Sequence, residues 1–270
     1  MKRAGWNPTR RNRNIGTERA GHGLANRLVI PDSWNDPRVY WAKLRNPVVV
    51  EAGGLSFFVE APSAGCAHAV TLDDVLRVLG MLPPEHVRWI RAIVLRQPTR
   101  KQRILSCVWG RLAYFSKIGA TEGPMIILEA QRIPGESRWS KSLQPDDAEE
   151  LQRLREDGHE VVSGRRSWTV RSNLESVRAT QLFRTLPHEV GHYVQYDAEV
   201  RQRAMDAPEE WTQLEDAYFS RPVREREDFA HRYAREFLER QVREGRLPFE
   251  RCIDEVRMTQ QKLDPTWFGA

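Results

Sequence analysis

The chain has 270 residues, of which 40% are hydrophobic and nine are tryptophans, and this composition predicts a globular body with one sizeable core. No stretch approaches 18 apolar residues, which argues against a membrane span, and the basic first residues lack the apolar region of a secretory signal. The formal net charge of +5 is concentrated at the amino terminus.

Residues 1–27 contain seven Lys or Arg and one Glu, a net charge of +6, so the remaining residues sum to −1. This segment is rich in Arg, Asn and Gly and has no apolar periodicity, so we expect a disordered basic tail. Nucleic acid, an acidic partner or anionic lipid could bind it electrostatically, but a solvated leader without a partner is favoured. The cysteines Cys66, Cys107 and Cys252 are widely spaced and predict no disulfide framework. A cytoplasmic protein is expected, with export by an unrecognised route left open.

Residues 28–82 are predicted to form an amino-terminal extension. The sequence PVVVEAGGLSFFVEAP at 47–62 indicates two strands joined at Gly53 and Gly54. A short helix follows in TLDDVLRVLGMLP, with Thr71 as its cap and acidic residues in its first turn.

The main domain is predicted to span residues 83–270. A helical start at residue 85 should end in a strand at 93–96, and the segments ILSCVWGRLAYF and PMIILEAQ are both strand-like. PMIILEAQ is either an edge strand that can pair with an extended peptide or a buried central strand. A helix at 145–157, closed by Gly158, precedes two short strands in EVVSG and SWTV. A long helix at 174–197 follows, and Pro187 should kink or restart it.

Residues 188–192 read His-Glu-Val-Gly-His, which matches the HExxH signature of zinc hydrolases. Two histidines four residues apart lie one turn apart on the same helix face, so both can bind one ion. Glu189 then lies beside that ion and can take a proton from a bound water. A chance match is expected in about one chain in sixty of this composition. Apolar residues at helical spacing occupy roughly the opposite face: Leu182, Leu186, Val190 and Tyr193.

A third protein ligand is needed, because catalytic zinc takes three. The metzincin extension is absent, with Gln at 195 and Ala at 198. In REREDFAHRYAREFL at 224–238, Glu227 shares a helix face with Ala230, His231 and Ala234. The alanines let this helix approach another closely, which makes Glu227 the favoured ligand. Glu225 lies about 160° away on the wheel and is less favoured.

The segments LPHEVGHYVQYD and EDFAHRYA, the second beginning 35 residues after His192, resemble the gluzincin metallopeptidases. Within them the chain is most similar to the catalytic domains of lethal-factor-type bacterial toxins and related zinc peptidases. The resemblance implies a zincin-like α+β domain, in which a small twisted mixed sheet packs on the HExxH helix beside a carboxyl-terminal helical part.

The resemblance also implies roles for single residues. His188, His192 and Glu227 would bind Zn²⁺, and Glu189 would be the general base. The family often places an oxyanion-stabilising tyrosine before the glutamate ligand. Tyr218 is the nearest match, although Ser220 can occupy the aligned place, and His231 or Tyr233 could substitute.

The expected activity is therefore zinc-dependent endopeptidase hydrolysis of a protein or peptide substrate. Two alternatives stay open. One is a zinc protease that acts on DNA-associated proteins with a third histidine, for which the basic tail and His231 are available. The other is a non-catalytic zinc-binding or regulatory protein. The sequence does not identify the substrate, because protease specificity depends on pocket shape.

Overall fold

The computed structural model describes residues 44–99, 102 and 108–269. The tail at 1–27, the start of the ILSCVWGRLAYF segment and Cys107 lie outside these ranges. The strands are β1 Val48–Ala52, β2 Leu55–Val59, β3 Cys66–Ala67, β4 Ala92–Arg96, β5 Gly110–Ile118, β6 Thr121–Glu129, β7 Gln131–Arg132, β8 Gly135–Ser140, β9 Glu160–Ser163 and β10 Ser167–Ser172.

Helical segments cover most of the second half of the described chain. The α-helices are α1 Leu72–Leu79, α2 Pro84–Val87, α3 Pro145–Glu156, α4 Leu174–Ala179, α5 Leu186–Tyr196, α6 Gln202–Asp206, α7 Trp211–Ser220, α8 Val223–Arg243 and α9 Glu255–Gln260. Two π-helical turns, π1 Thr180–Thr185 and π2 Asp197–Arg201, join α4, α5 and α6. Short 3₁₀ turns lie at Pro208–Glu210 and Pro265–Phe268. The fold is therefore mixed α+β, as the sequence predicts.

The larger sheet is mixed and has the strand order β1-β2-β4-β6-β5. The outer pairs β1–β2 and β5–β6 are antiparallel, whereas β2–β4 and β4–β6 are parallel. The first hairpin turns at Gly53 and Gly54, whose φ angles of 60° and 78° suit a tight two-residue turn. All five residues of β4 are buried, which places the centre of the core at this strand.

The structure decides a question that the sequence left open. PMIILEAQ falls mainly in β6, which pairs with β4 on one side and β5 on the other, so it is a central strand. The edge strand on that side of the sheet is β5. Strand β2, from the predicted amino-terminal extension, pairs with β4, from the predicted main domain. Hydrophobic periodicity locates strands but does not reveal their neighbours.

A smaller antiparallel sheet with the order β8-β10-β9 packs against α3. The predicted EVVSG–SWTV pair is confirmed as β9 and β10, and β8 adds a strand that the sequence did not predict. Leu151, Leu154 and Val170 are buried between α3 and this sheet. Trp139 and Trp168 pair across β8 and β10 and cover this small core.

The segment that contains the HEVGH motif stays helical from α4 to α6. The sequence predicted a kink or a new first turn at Pro187, and Pro187 falls in the first turn of α5. A π-helical turn lies directly before α5, with the Leu186 amide donating to the Gln181 carbonyl five residues earlier. Pro187 has no amide proton, and in the first turn of a helix that loss costs little.

A buried ion pair ties α1 to α4 and to the chain after α8. The Arg178 guanidinium donates to both carboxylate oxygens of Asp74 at 3.0 and 3.1 Å, and also to the Phe249 carbonyl. Asp74 is also part of the predicted α1 capping box with Thr71. Breaking one partner of such a pair would leave an uncompensated charge in the core. No helix in the described ranges combines the length and apolar character needed to cross a bilayer.

Stability should depend on His68, which is 2% exposed and donates through Nε2 to the Glu60 carbonyl at 2.8 Å. Burial lowers the pKa of His68 from 6.5 to about 4. The unfolded chain therefore takes up this proton near pH 6.5 and the folded chain only near pH 4. The stability that His68 contributes is complete above pH 6.5 and is lost as the pH falls to about 4.

We expect the free energy of unfolding of the wild type to fall between these pH values by up to about 3 kcal/mol more than that of His68→Gln. Glutamine retains a donor but does not titrate. Urea denaturation at a series of pH values measures the difference, and parallel pH profiles of the two proteins would contradict it.

Candidate metal centre

The site forms where α5 crosses α8. The two histidines of the motif project from α5, and Glu227 projects from the first turns of α8. The His188 Nε2 atom lies 3.3 Å from one carboxylate oxygen of Glu227, and the His192 Nε2 atom lies 3.5 Å from the other. The two imidazole rings lie edge to face with centroids 4.6 Å apart. Three side chains that the sequence selected from segments 35 residues apart therefore meet in the structure.

These separations suit a shared ion. In a tetrahedral zinc site with bonds of about 2.0–2.1 Å, two ligand atoms lie about 3.3 Å apart. Both nitrogen-to-oxygen distances are close to this value, and the two nitrogens face different oxygens of the Glu227 carboxylate. The donor set of two imidazoles and a carboxylate is also one that zinc accepts. Neither His188 Nδ1 nor His192 Nδ1 has a hydrogen-bond partner in the described part of the chain, so no carboxylate or carbonyl fixes their tautomers there.

The absence of a side chain at Gly191 allows this close crossing. A Cβ atom at Gly191 would lie only 3.0 Å from the Cβ of Tyr233 on α8 and 3.1 Å from its ring. Ala230 and Ala234 on α8 are buried, as expected from the alanines of the sequence. Small residues therefore bring the two helix backbones close enough for a short carboxylate to reach both histidines.

His231 adds a third imidazole to the cluster. One ligand atom each from His188, Glu227 and His231 can be chosen so that all three lie within 4.8 Å of one another. The rings of His188 and His231 have centroids 4.5 Å apart. His231 lies one helical turn after Glu227, so the spacing of α8 presents both on one face. This group contains His231 and not His192, so it differs by one member from the set that the resemblance implies.

The pKa values of His192 and His231 shift in opposite directions. Burial of His192 lowers its pKa, but the neighbouring carboxylates of Glu227 and Glu189 outweigh burial, and the pKa is raised overall. Burial of His231 and the charge of His188 lower the pKa of His231 to about 4. Burial raises the pKa of Glu227, but its contacts with the two histidines outweigh burial and lower it overall. At neutral pH Glu227 is therefore an anion, and His231 is neutral with a lone pair available.

Glu189 is held against the edge of the larger sheet. It is 7% exposed, and its Oε2 atom accepts a hydrogen bond of 2.7 Å from the Leu112 amide of β5. This bond ties the predicted base to the sheet. No other hydrogen bond of Glu189 is present among the described residues, so its second oxygen is left for a ligand in the cleft.

Comparison of the chain with models of known protein families, with curated protein sequences and with solved structures finds no match. The gluzincin resemblance therefore rests on the motif residues alone.

A cleft of about 1070 Å³ opens over the cluster. One wall is formed by β5 residues, including Gly110, Leu112 and Tyr114, and another by residues of β8. The smaller sheet, which the sequence analysis did not relate to function, therefore borders the candidate site. Residues of the cluster also line the cleft: His188, Glu189, His192, Glu227 and His231.

The tyrosine expected to stabilise an oxyanion is not on the cleft surface. Tyr218 is 0% exposed, and its hydroxyl donates to the His192 carbonyl at 3.3 Å. The hydroxyl of Tyr114 lies 3.1 Å from that of Tyr218, and it is Tyr114 that lines the cleft. Burial raises the pKa of Tyr114 above its usual value, so the phenol is protonated. No sequence pattern predicted a role for Tyr114, because only strand pairing brings it here.

The other residues considered from the sequence lie elsewhere. The Tyr233 hydroxyl forms a 2.7 Å hydrogen bond with His86 Nδ1 on α2. Ser220 is exposed and donates to the Ala217 carbonyl of its own helix. Glu225 is exposed on α8. None of these three lines the cleft, and the role assigned to Tyr218 stays a prediction.

Gly191→Ala should destabilise the metal-free protein, because the new methyl group would press on Tyr233 across the helix crossing. Overpacking of this kind costs about 1–3 kcal/mol, which outweighs the roughly 1 kcal/mol that alanine gains over glycine inside a helix. Urea denaturation measures the change. An unchanged or raised free energy of unfolding would mean that the close approach of α5 and α8 does not depend on glycine.

Proposed function

We propose that the protein is a zinc-dependent endopeptidase of the zincin type that cleaves peptide bonds in a protein or peptide substrate. The convergence of His188, His192 and Glu227 at 3.3–3.5 Å supports this proposal most strongly. The two histidines lie on α5 and Glu227 lies on α8, and each imidazole nitrogen lies about as far from a Glu227 oxygen as two ligands of a tetrahedral zinc ion lie from each other. His231 is the alternative third ligand, or a fourth side chain that steers the substrate.

Zinc bound at this site would lower the pKa of a coordinated water and polarise the scissile carbonyl. In this proposal Glu189 accepts the proton of that water and passes it to the leaving amine. Its carboxylate lies in the cleft beside both histidines, and the Leu112 amide fixes one of its oxygens. A base held in this way keeps its orientation without rearrangement during the reaction.

The position of β5 supports a polypeptide as substrate. It is one of the two edge strands of the larger sheet, and several of its residues line the cleft beside the histidines. An edge strand presents backbone groups with which an extended peptide can pair. A cleft bordered by such an edge and about 1070 Å³ in volume has room for an extended segment of several residues.

Glu189→Gln should bind zinc with the stoichiometry of the wild type and lose hydrolysis of an unfolded protein such as casein by about 10²–10⁴-fold, the contribution of a general base. Glutamine keeps the size of the side chain and can accept the Leu112 hydrogen bond, but it cannot take up a proton. Zinc content is measured by atomic absorption and turnover by release of labelled peptides. Near-wild-type hydrolysis by Glu189→Gln would contradict the role of Glu189.

The same assays separate the two ligand sets. If His192 is a ligand and His231 is not, His192→Ala loses zinc while His231→Ala retains it. The reverse result would assign the ion to His188, Glu227 and His231. Zinc-loaded wild-type protein that cleaves no unfolded substrate would contradict the peptidase proposal and favour a non-catalytic zinc protein.

A further inference from the structure

Arg226 is an arginine of the cleft that the proposed chemistry does not use. It directly precedes Glu227 on α8, is half-buried, and lines the cleft together with His192 and Phe219. Its guanidinium lies 5.6 Å from the ring centroids of Tyr218 and Phe219 and makes a long contact of 3.5 Å with the Tyr218 carbonyl. These contacts hold the side chain in place at the candidate metal centre.

Within the described ranges, no carboxylate oxygen lies within 4.0 Å of the Arg226 guanidinium. Of the other arginines that line the cleft, Arg111, Arg138 and Arg184 have such partners, whereas Arg132 on β7 has none among the described residues. Arg184 pairs with both Glu150 and Asp157, and Arg111 pairs with Glu129 at 2.8 Å. Arg226 therefore lacks the carboxylate partner that neutralises Arg184 and Arg111.

The charge of Arg226 affects the net charge at the metal end of the cleft. A zinc ion would be balanced formally by the anions Glu227 and Glu189, so Arg226 would leave the metal end of the cleft with a net positive charge. A half-buried guanidinium without an anion also loses part of its hydration without full compensation. A substrate carboxylate could neutralise the excess positive charge and replace the lost hydration, since arginine binds carboxylates through two parallel hydrogen bonds.

We propose that Arg226 binds an acidic side chain of the substrate close to the cleaved bond and so gives the site a preference for acidic peptides. This inference rests on the proposed peptidase function, and it adds the class of substrate to that proposal. Arg226 is a specificity residue in this proposal and takes no part in the proton transfer by Glu189.

The test uses zinc-loaded Glu189→Gln protein, so that binding is measured without turnover. The probes are two pools of fluorescein-labelled decapeptides with the same random positions, one with Glu and the other with Gln at the fifth position. Because hydrogen bonds to charged groups are worth about 1.5–3 kcal/mol, the Glu pool should bind at least about tenfold more tightly by fluorescence polarisation.

Arg226→Gln in this background should abolish the preference for the Glu pool, and Arg226→Lys should retain only part of it, because lysine keeps the charge but not the planar fork. Arg224→Gln is the matched control. Arg224 lies one half-turn earlier on α8, its side chain is 81% exposed, and it should leave the preference unchanged. Zinc content and thermal unfolding of each variant exclude a loss of folding as the cause.

Equal binding of the two pools, or a preference that survives in Arg226→Gln, would overturn the role of Arg226 while leaving the peptidase proposal intact. Failure of the peptidase proposal would be seen separately, as wild-type protein that binds zinc and discriminates between the pools but cleaves no substrate.

Discussion

The close crossing of α5 and α8 is the constraint on which the rest of the site depends. A short glutamate side chain can reach two histidines on another helix only if the two backbones come unusually near. Gly191 on one helix and the buried alanines of the other provide this approach, and Tyr233 fills the space opposite the glycine. The crossing therefore links the packing of the core directly to the position of Glu227.

A second connection runs from the sheet to the motif. The edge strand β5 carries the Leu112 amide that holds Glu189, and it also carries Tyr114 in the wall of the cleft. The antiparallel pairing of β5 with the central strand β6 places it at this edge. The same strand thus orients the proposed base and offers an edge to an extended substrate, so that β5 connects the fold with the proposed chemistry.

Local patterns in the sequence were sufficient to predict much of this arrangement. The spacing of His188 and His192 and the small face beside Glu227 predicted residues that the structure brings together. The glycine pair of the first hairpin and the Thr71 cap predicted local structure that is also present. These features depend on neighbours within a few residues, which a single sequence contains.

What the sequence missed depends on contacts between distant segments. Strand order decided that β6 is central, that β8 joins β9 and β10, and that Tyr114 lies next to Tyr218. The π-helical turn directly before α5 was also missed. That Arg226 lies in the cleft without a carboxylate partner among the described residues is apparent only from the structure.

Zinc titration of the Glu227→Ala and Glu225→Ala variants tests the metal centre most directly. The two glutamates lie two residues apart on α8, but only Glu227 contacts the histidines, and Glu225 is exposed. Loss of a ligand should weaken zinc binding by more than the 10–100-fold typical of supporting residues, so we expect a loss of over about 100-fold for Glu227→Ala and none for Glu225→Ala. Equal zinc affinity of Glu227→Ala and the wild type would contradict a metal centre that joins these two helices.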